Sequence, residues 1–172
     1  MLIPGRLRSA LSPIRPAAAL LVAAAAVAGC GSGDSTDPAA VWDPCDLPAE
    51  LITGAGFAAG SGRRDVAVEE GWAGCGWSSA DAALRVWFAA EGSPDEVGGR
   101  EDTHADITIG DRAGRRLYSG ASDTAATCTV ALPTAEGGVI RIRVDSAPVG
   151  TGPGACAQAE RTAGALAPAL PR

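Results

Sequence analysis

The sequence predicts an α+β domain, in which an antiparallel β-sheet carries a C-terminal helix and a short N-terminal helix on one face and is held by two disulfides. Three observations support this prediction. Short segments of alternating apolar and polar residues, separated by turn residues, indicate strands in the middle of the chain. Apolar residues spaced by three and four near the C-terminus indicate a helix. Four cysteines follow a segment that has the composition of an export leader.

Residues 1–29 have the pattern of a lipoprotein signal peptide. Residues 1–16 contain three arginines and no acidic residue, and residues 17–28 are almost purely apolar. This apolar run of about twelve residues is too short for a membrane span, which needs about twenty. It leads directly into an aliphatic residue and two small residues before Cys30, the arrangement that lipoprotein signal peptidase recognises. An ordinary signal peptide with a chance cysteine is the alternative.

We therefore expect Cys30 to be lipidated and residues 30–41 to form a flexible tether. The residues that follow Cys30 are small and polar, as in flexible linkers. Two acyl chains, such as palmitate, attach a protein stably to a bilayer. The expected location is the extracytoplasmic face of the plasma membrane, and residues 42–172 are expected to form a single folded domain.

The charge of the chain argues against nucleic acid as a partner. The formal net charge is −6, and removal of the three leader arginines leaves 11 arginines against 20 carboxylates, or about −9. Such a surface repels a phosphate backbone on average. We expect no nucleic-acid partner.

The four remaining cysteines predict two disulfides, because oxidation is the default in an exported protein. Three pairings of Cys45, Cys75, Cys128 and Cys156 are possible. We favour Cys45–Cys75 and Cys128–Cys156, since each pair joins a helical segment to a strand. Each would close a loop of about thirty residues, which contributes on the order of 3 to 4 kcal/mol in the chain-entropy model. A zinc site is a weaker alternative without a C-x-x-C pair, and we expect no metal and no cofactor.

The first part of the domain predicts one or two short helical turns. Residues 43–52 combine a capping aspartate with prolines suited to a first turn, and Gly54 and Gly56 follow as stop signals. Residues 58–72 are rich in glycine and charge. There we expect a polar loop with a brief strand at 66–68.

Six further segments alternate as half-buried strands do. They are 75–79, 84–89, 105–109, 115–118, 127–132 and 139–144. Ser and Asp turn residues join the first two segments, and Glu136-Gly137-Gly138 joins the last two. Each of these pairs should form a hairpin.

The last helix is predicted from one apolar stripe, and Pro153 and Gly154 introduce it. The stripe consists of Cys156, Ala159, Ala163, Leu166 and Leu170. We expect this helix to lie on the sheet.

The cysteine framework resembles that of a known group. Asp43-Pro44-Cys45 opens the domain, Cys75-Gly76-Trp77 begins a strand, Cys128 lies in a late strand and Cys156 lies in the last helix. On these motifs, the chain resembles the short predicted lipoproteins of high-GC Gram-positive (actinobacterial) bacteria that are classified as a domain family of unknown function. The resemblance runs from the cysteine of the leader to Leu170. It implies export, lipidation, paired cysteines and a binding role, and it transfers no catalytic residue.

Alternation assigns the candidate binding residues to one face of the sheet. In the segments 84–88 and 140–144 the apolar residues occupy one face. The opposite face receives Arg85, Trp87, Arg141 and Arg143. If the two strands are neighbours, these four side chains lie together. Arginine beside tryptophan suits an anionic or glycan ligand, through bidentate hydrogen bonds and stacking.

The alternative for this face is a solvated surface without a ligand. Its arginines would then pair with carboxylates such as Asp106 and Asp145, and Trp87 would cover apolar surface. Trp77 is in phase with Cys75, and we expect it to pack in the core against the disulfide.

The predicted function is that of a non-enzymatic envelope protein that binds a partner protein or a small envelope ligand. An enzyme acting on wall or lipid substrates is the alternative, and a purely structural or adhesive surface protein is a third possibility. The enzyme would need a pocket with acidic groups near His104 or within residues 95–102. The acidic residues of that segment are Asp95, Glu96, Glu101 and Asp102. No nucleophile elbow and no phosphate loop occur in the sequence.

Overall fold

Seven strands form one antiparallel sheet in the computed structural model, which describes residues 42–64, 70–119, 121, 125–146 and 154–172. The order across the sheet is β1-β2-β3-β7-β6-β5-β4, and all neighbouring strands are antiparallel. The strands are β1 (Ala58–Arg64), β2 (Trp72–Ser78), β3 (Ala82–Ala89), β4 (Thr103–Ile109), β5 (Arg112–Tyr118), β6 (Thr127–Pro133) and β7 (Val139–Ser146). The two predicted hairpins are confirmed as β2–β3 and β6–β7.

Helical segments lie at both ends of the described domain, as predicted. They are a 3₁₀ turn (Pro44–Asp46), α1 (Ala49–Gly54), α2 (Ala155–Leu166) and a second 3₁₀ turn (Ala167–Ala169). The carboxylate of Asp43 caps the first turn by accepting a hydrogen bond from the Cys45 N–H at 2.9 Å. Gly54 ends α1, and Gly56 adopts a φ of 91°, which glycine tolerates without strain.

The prediction of a polar loop is wrong at both ends of the segment 58–72. Residues Ala58–Arg64 form the edge strand β1, and β2 already begins at Trp72. Three of the seven β1 residues are glycine or serine, which have little intrinsic preference for strands. Pairing of the β1 backbone with β2 overrides that local preference, with an irregularity between Ala58 and Arg63. The strand expected at 66–68 lies outside the described residues.

The core lies between the sheet and its helices, on what we call the closed face. β3, β6 and β7 place most of their fully buried apolar residues there, including Leu84, Val130 and Ile142. The predicted stripe of the last helix is buried against them. Trp77 belongs to the same core, as expected, and is 6% exposed.

Both predicted disulfides are confirmed, and both attach helical segments to the closed face. Cys45–Cys75 joins the first 3₁₀ turn to β2, and Cys128–Cys156 joins β6 to α2. The closed face is therefore fixed covalently at each end of the domain.

The opposite face, which we call the open face, is partly covered by the β3–β4 connection. We call this connection, residues 90–102, the strap. Its Val97 packs in a small apolar cluster on the sheet together with Ala89, Leu117, Ala131, Val139 and Trp72. The Gly92 N–H donates to the Gly137 carbonyl at 3.1 Å, and Asp95 pairs with Arg115 at 3.3 Å. The strap is thus held to the open face at several points along its length.

Candidate functional site on the open face

The four candidate residues predicted from the sequence lie side by side on the open face. β3 and β7 are neighbours, and their register places Arg85 opposite Arg143 and Trp87 opposite Arg141. Directly opposite residues of an antiparallel pair point to the same face and are close enough to interact. The condition set by the sequence, that the two strands be adjacent, is met.

Arg141 stacks on two tryptophan rings. Its guanidinium carbon lies 4.5 Å from the centre of the Trp72 ring and 5.7 Å from that of Trp87. Each such contact at a partly exposed position contributes on the order of 0.5 to 1 kcal/mol. The two rings therefore hold the charge of Arg141 at one place on the sheet.

Sequence reasoning missed Trp72 as a site residue because it assigned that position to a loop. The missing signal is the phase of β2. Cys75 and Trp77 point to the closed face, so residues 72, 74 and 76 must point to the open face. Extending the alternation of β2 backward by three residues would have placed Trp72 beside the arginines.

Among the described residues, the Asp145 carboxylate pairs with the two remaining arginines of the site. Arg85 donates a hydrogen bond from Nη1 to Asp145 Oδ2 at 2.9 Å. Arg143 donates two hydrogen bonds to Asp145 Oδ1, from Nε at 2.9 Å and from Nη2 at 2.8 Å. Thr127 also donates its hydroxyl to Oδ1 at 2.8 Å. The pairing expected for Asp145 is found, whereas Asp106 pairs with Arg115 instead, at 2.6 Å. Asp145 thus offsets the charge of one of the two guanidinium groups that it contacts.

Beneath the strap lies a partly open cavity of about 120 Å³. Arg141 and Arg143 line one side, and the hydroxyl-bearing Thr127 and Thr129 of β6 lie beside them. Asp102 lies on the strap side. At about 30 Å³ for each water in the liquid, this volume corresponds to about four water molecules. The cavity is the size of a small anion with one or two waters.

A second cavity, of about 320 Å³, is also lined by Val97 and Gly98 of the strap. Trp72, Glu91 and Arg141 contribute to its walls. Val97, Gly98 and Arg141 therefore line both cavities.

The acidic residues proposed for an enzyme serve the turns of the strap. Glu96 accepts a hydrogen bond from the Ser93 N–H at 2.9 Å, which completes a capping box. Asp102 accepts one from the Gly99 N–H at 2.7 Å and another from the Ser119 hydroxyl at 3.1 Å. Asp95 pairs with Arg115, and Glu101 is exposed. Their contacts are those of structural carboxylates.

His104 lies on the exposed edge strand β4, opposite Leu117. In a catalytic triad a serine hydroxyl donates to an imidazole, which removes its proton during attack. Here the nearby Ser119 hydroxyl donates to Asp102 instead. In the part of the chain that the structure describes, no group of three His, Cys, Asp or Glu side chains is arranged to hold a metal ion.

The predicted lipidation site, Cys30, and the predicted leader and tether lie outside the described residues. Among the residues that are described, no helix has the length and apolar character needed to cross a membrane.

Comparison with known proteins identifies a family. The family model described as protein of unknown function (DUF3558) matches residues 23–169, a range that contains all four disulfide cysteines and the whole open-face site. Searches of the curated proteins and of the solved structures give no match. The match covers most of the chain and confirms the resemblance to a domain family of unknown function. The chain belongs to the DUF3558 family.

Proposed function

We propose that this protein is a non-enzymatic binding protein, anchored through a lipidated Cys30 outside the plasma membrane, that holds a small anionic ligand in the cavity beneath the strap. The composition of residues 1–29 and the small residues before Cys30 support the anchor. The contacts around Arg141 and Arg143 support the ligand class.

Local charge favours an anion at this place although the chain as a whole is acidic. Arg85, Arg141 and Arg143 contribute three positive charges around the cavity, and Asp145 and Asp102 contribute two negative charges. A positive patch within an acidic surface attracts anions locally and selects against binding elsewhere on the protein.

The observation that carries the proposal is that Arg141 and Arg143 line the same small cavity, with their guanidinium groups already positioned. Two rings hold Arg141, and Asp145 holds two of the three nitrogens of Arg143. Among the described residues, none accepts a hydrogen bond from the third nitrogen, Nη1. Donors held in place before binding lose little conformational freedom when the ligand arrives, which favours affinity.

An anion is favoured over a neutral glycan because the tryptophan rings are already in use. Glycans bind largely by stacking on exposed aromatic faces, whereas Trp72 and Trp87 here contact the Arg141 guanidinium. Their role is to position a charged donor.

Isothermal titration of the purified protein with inorganic phosphate tests the binding proposal. Arg141→Gln and Arg143→Gln should each weaken binding about tenfold, the equivalent of about 1.4 kcal/mol. Arg161→Gln is the matched control, since it removes the same charge from an exposed position on α2, which covers the other face. Equal binding by all three variants, or none by the wild type, would contradict the proposal.

Intact mass and detergent partition test the anchor. Wild-type protein made in a secretion-competent host should enter the detergent phase and have a mass that starts at an acylated Cys30. The Cys30→Ala variant should lose both properties. A wild-type protein that stays in the aqueous phase and is cleaved elsewhere would overturn the anchor while leaving the binding proposal open to its own test.

A further inference from the structure

A row of arginines crosses the open face beyond the cavity. Strand register places Arg63 of β1 opposite Gly76 of β2, Gly76 opposite Arg85 of β3, and Arg85 opposite Arg143 of β7. Neighbouring strands are about 4.8 Å apart, so this row extends about 14 Å across the sheet. It starts at the proposed anion site and ends at the edge of the sheet.

Gly76 leaves a trough in the middle of this row. This trough is an open surface depression of about 310 Å³, and Arg63, Gly76 and Arg85 are among the residues that line it. A Cβ atom built at Gly76 would lie 3.7 Å from Cγ of Arg85 and 3.4 Å from the carbonyl oxygen of Leu84. Any side chain at this position would therefore occupy space next to the arginine.

The charges of the row are spread over about 14 Å, a distance that one small anion does not cover. Two of its three guanidinium groups, those of Arg85 and Arg143, pair with Asp145. Arg63 is exposed and donates to the carbonyl of Gly62 at 3.0 Å. Within the described residues it has no carboxylate partner. An anion bound beneath the strap would leave the Arg63 end of the row unused.

We infer that the ligand of the proposed site is a linear polyanion with phosphate groups in series. One group occupies the cavity beneath the strap, and the following groups lie in the trough between Arg85 and Arg63. This inference rests on the proposed function. Guanidinium groups bind phosphate oxygens through paired hydrogen bonds, and successive sites on one chain raise the effective concentration of each later contact.

Inorganic polyphosphate and a phosphodiester polymer of the envelope share this chemistry. Nucleic acid shares its charges but is less favoured, because the acidic domain repels a long backbone and Trp72 and Trp87 already contact Arg141.

The test compares inorganic phosphate with a linear polyphosphate of about ten units, by isothermal titration of the full chain at physiological salt. The wild type should bind the chain at least tenfold more tightly than the single phosphate. Arg63→Gln should weaken polyphosphate binding about fivefold and leave phosphate binding unchanged. Arg143→Gln should weaken both, and the control Arg161→Gln should change neither by more than about twofold.

Gly76→Ala provides a second variant that keeps every charge. Its added methyl group should weaken polyphosphate binding while phosphate binding is retained, and circular dichroism checks that the sheet is intact. Equal affinity of the wild type for phosphate and polyphosphate, or equal effects of Arg63→Gln and Arg161→Gln, would overturn this inference and leave the anion site standing. Absence of phosphate binding by the wild-type protein would instead contradict the proposed function itself.

Two further ligands distinguish between the possible sources of the polyanion. A glycerol-phosphate oligomer that binds more tightly than polyphosphate would assign the site to an envelope polymer, and the reverse order would assign it to inorganic chains. A single-stranded oligonucleotide of the same charge that binds more tightly than both would contradict the choice of a polyanion without bases.

Discussion

The closed and open faces are built by the same strands, yet they are held in different ways. Ile142 on the closed face is fully buried beneath α2, whereas its neighbour Arg143 on the open face is partly exposed. Two disulfides fix helical segments to the closed face. Among the described residues, the open face is covered by the strap without a disulfide. The closed face thus supplies most of the stability, and the open face carries a charged site on a rigid support.

β3 and β7 show how one strand can contribute both to the hydrophobic core and to the charged site. Because successive side chains point to opposite faces, each strand contributes every second residue to the core and the others to the site. A substitution on one face should therefore leave the other largely intact. Substitutions on each face, and in the strap, test this separation.

Substitutions at two adjacent residues of β7, Ile142 and Arg143, should differ most in their effect on stability. Ile142→Ala should lower the free energy of unfolding by about 2 to 5 kcal/mol, because it removes buried methyl groups and leaves a cavity. Arg143→Gln should lower it by less than about 1 kcal/mol, since its ion pair with Asp145 is partly solvated. Urea unfolding measures both. Similar losses for the two variants would show that the faces are not energetically distinct.

Removing either disulfide should weaken the closed face without affecting the site. The bridges close loops of similar length, with sequence separations of 30 and 28, so the chain-entropy contribution is on the order of 3 to 4 kcal/mol for each. The double variant Cys128→Ala/Cys156→Ala should cost more than Cys45→Ala/Cys75→Ala, because Cys45 is only half-buried. Thermal unfolding measures the difference, and phosphate titration well below Tm should give wild-type affinity for both. A loss of phosphate affinity in either double variant would show that the closed face affects binding on the open face.

Substitution of Gly98 should disturb the strap more than substitution of its neighbour Gly99. Gly98 has a φ of 100°, and a Cβ there would overlap the Leu117 side chain. Gly98→Ala should therefore destabilise the protein by about 1 to 3 kcal/mol and also weaken phosphate binding, since the strap roofs the cavity. Gly99→Ala is the control, because its Cβ would meet only Asp102, at 3.7 Å. Equal stability and equal phosphate affinity of the two variants would show that the strap does not contribute to the binding site.

Loss of one aromatic contact should have the smallest effect. Trp72→Leu keeps apolar volume in the cluster around Val97 but removes the ring beneath Arg141. We expect a loss of about 0.5 to 1 kcal/mol in stability and a severalfold loss in phosphate affinity. Trp72→Phe, which retains a ring, should lie between this variant and the wild type. Unchanged affinity in Trp72→Leu would mean that the ring does not position the arginine.

Most of the closed face could be predicted because its signals are local. Alternation located six strands, two hairpins followed from their turn residues, and the helical stripe located α2. β1 was missed because its glycines and arginines carry no strand signal of their own, and it forms only by pairing with β2. The preferred cysteine pairing was correct because each bridge joins a helical segment to the strand that it covers.

The direction of a side chain in a strand depends only on its position along that strand, so alternation alone assigned Arg85, Trp87, Arg141 and Arg143 to the face opposite the core. Tertiary structure decided that these residues meet, that Trp72 joins them, that Asp145 bridges two of them and that the strap roofs a cavity above them. These features depend on which strands become neighbours and on where a loop crosses the sheet. Such long-range choices follow from how the whole chain buries its apolar surface, which no local pattern specifies.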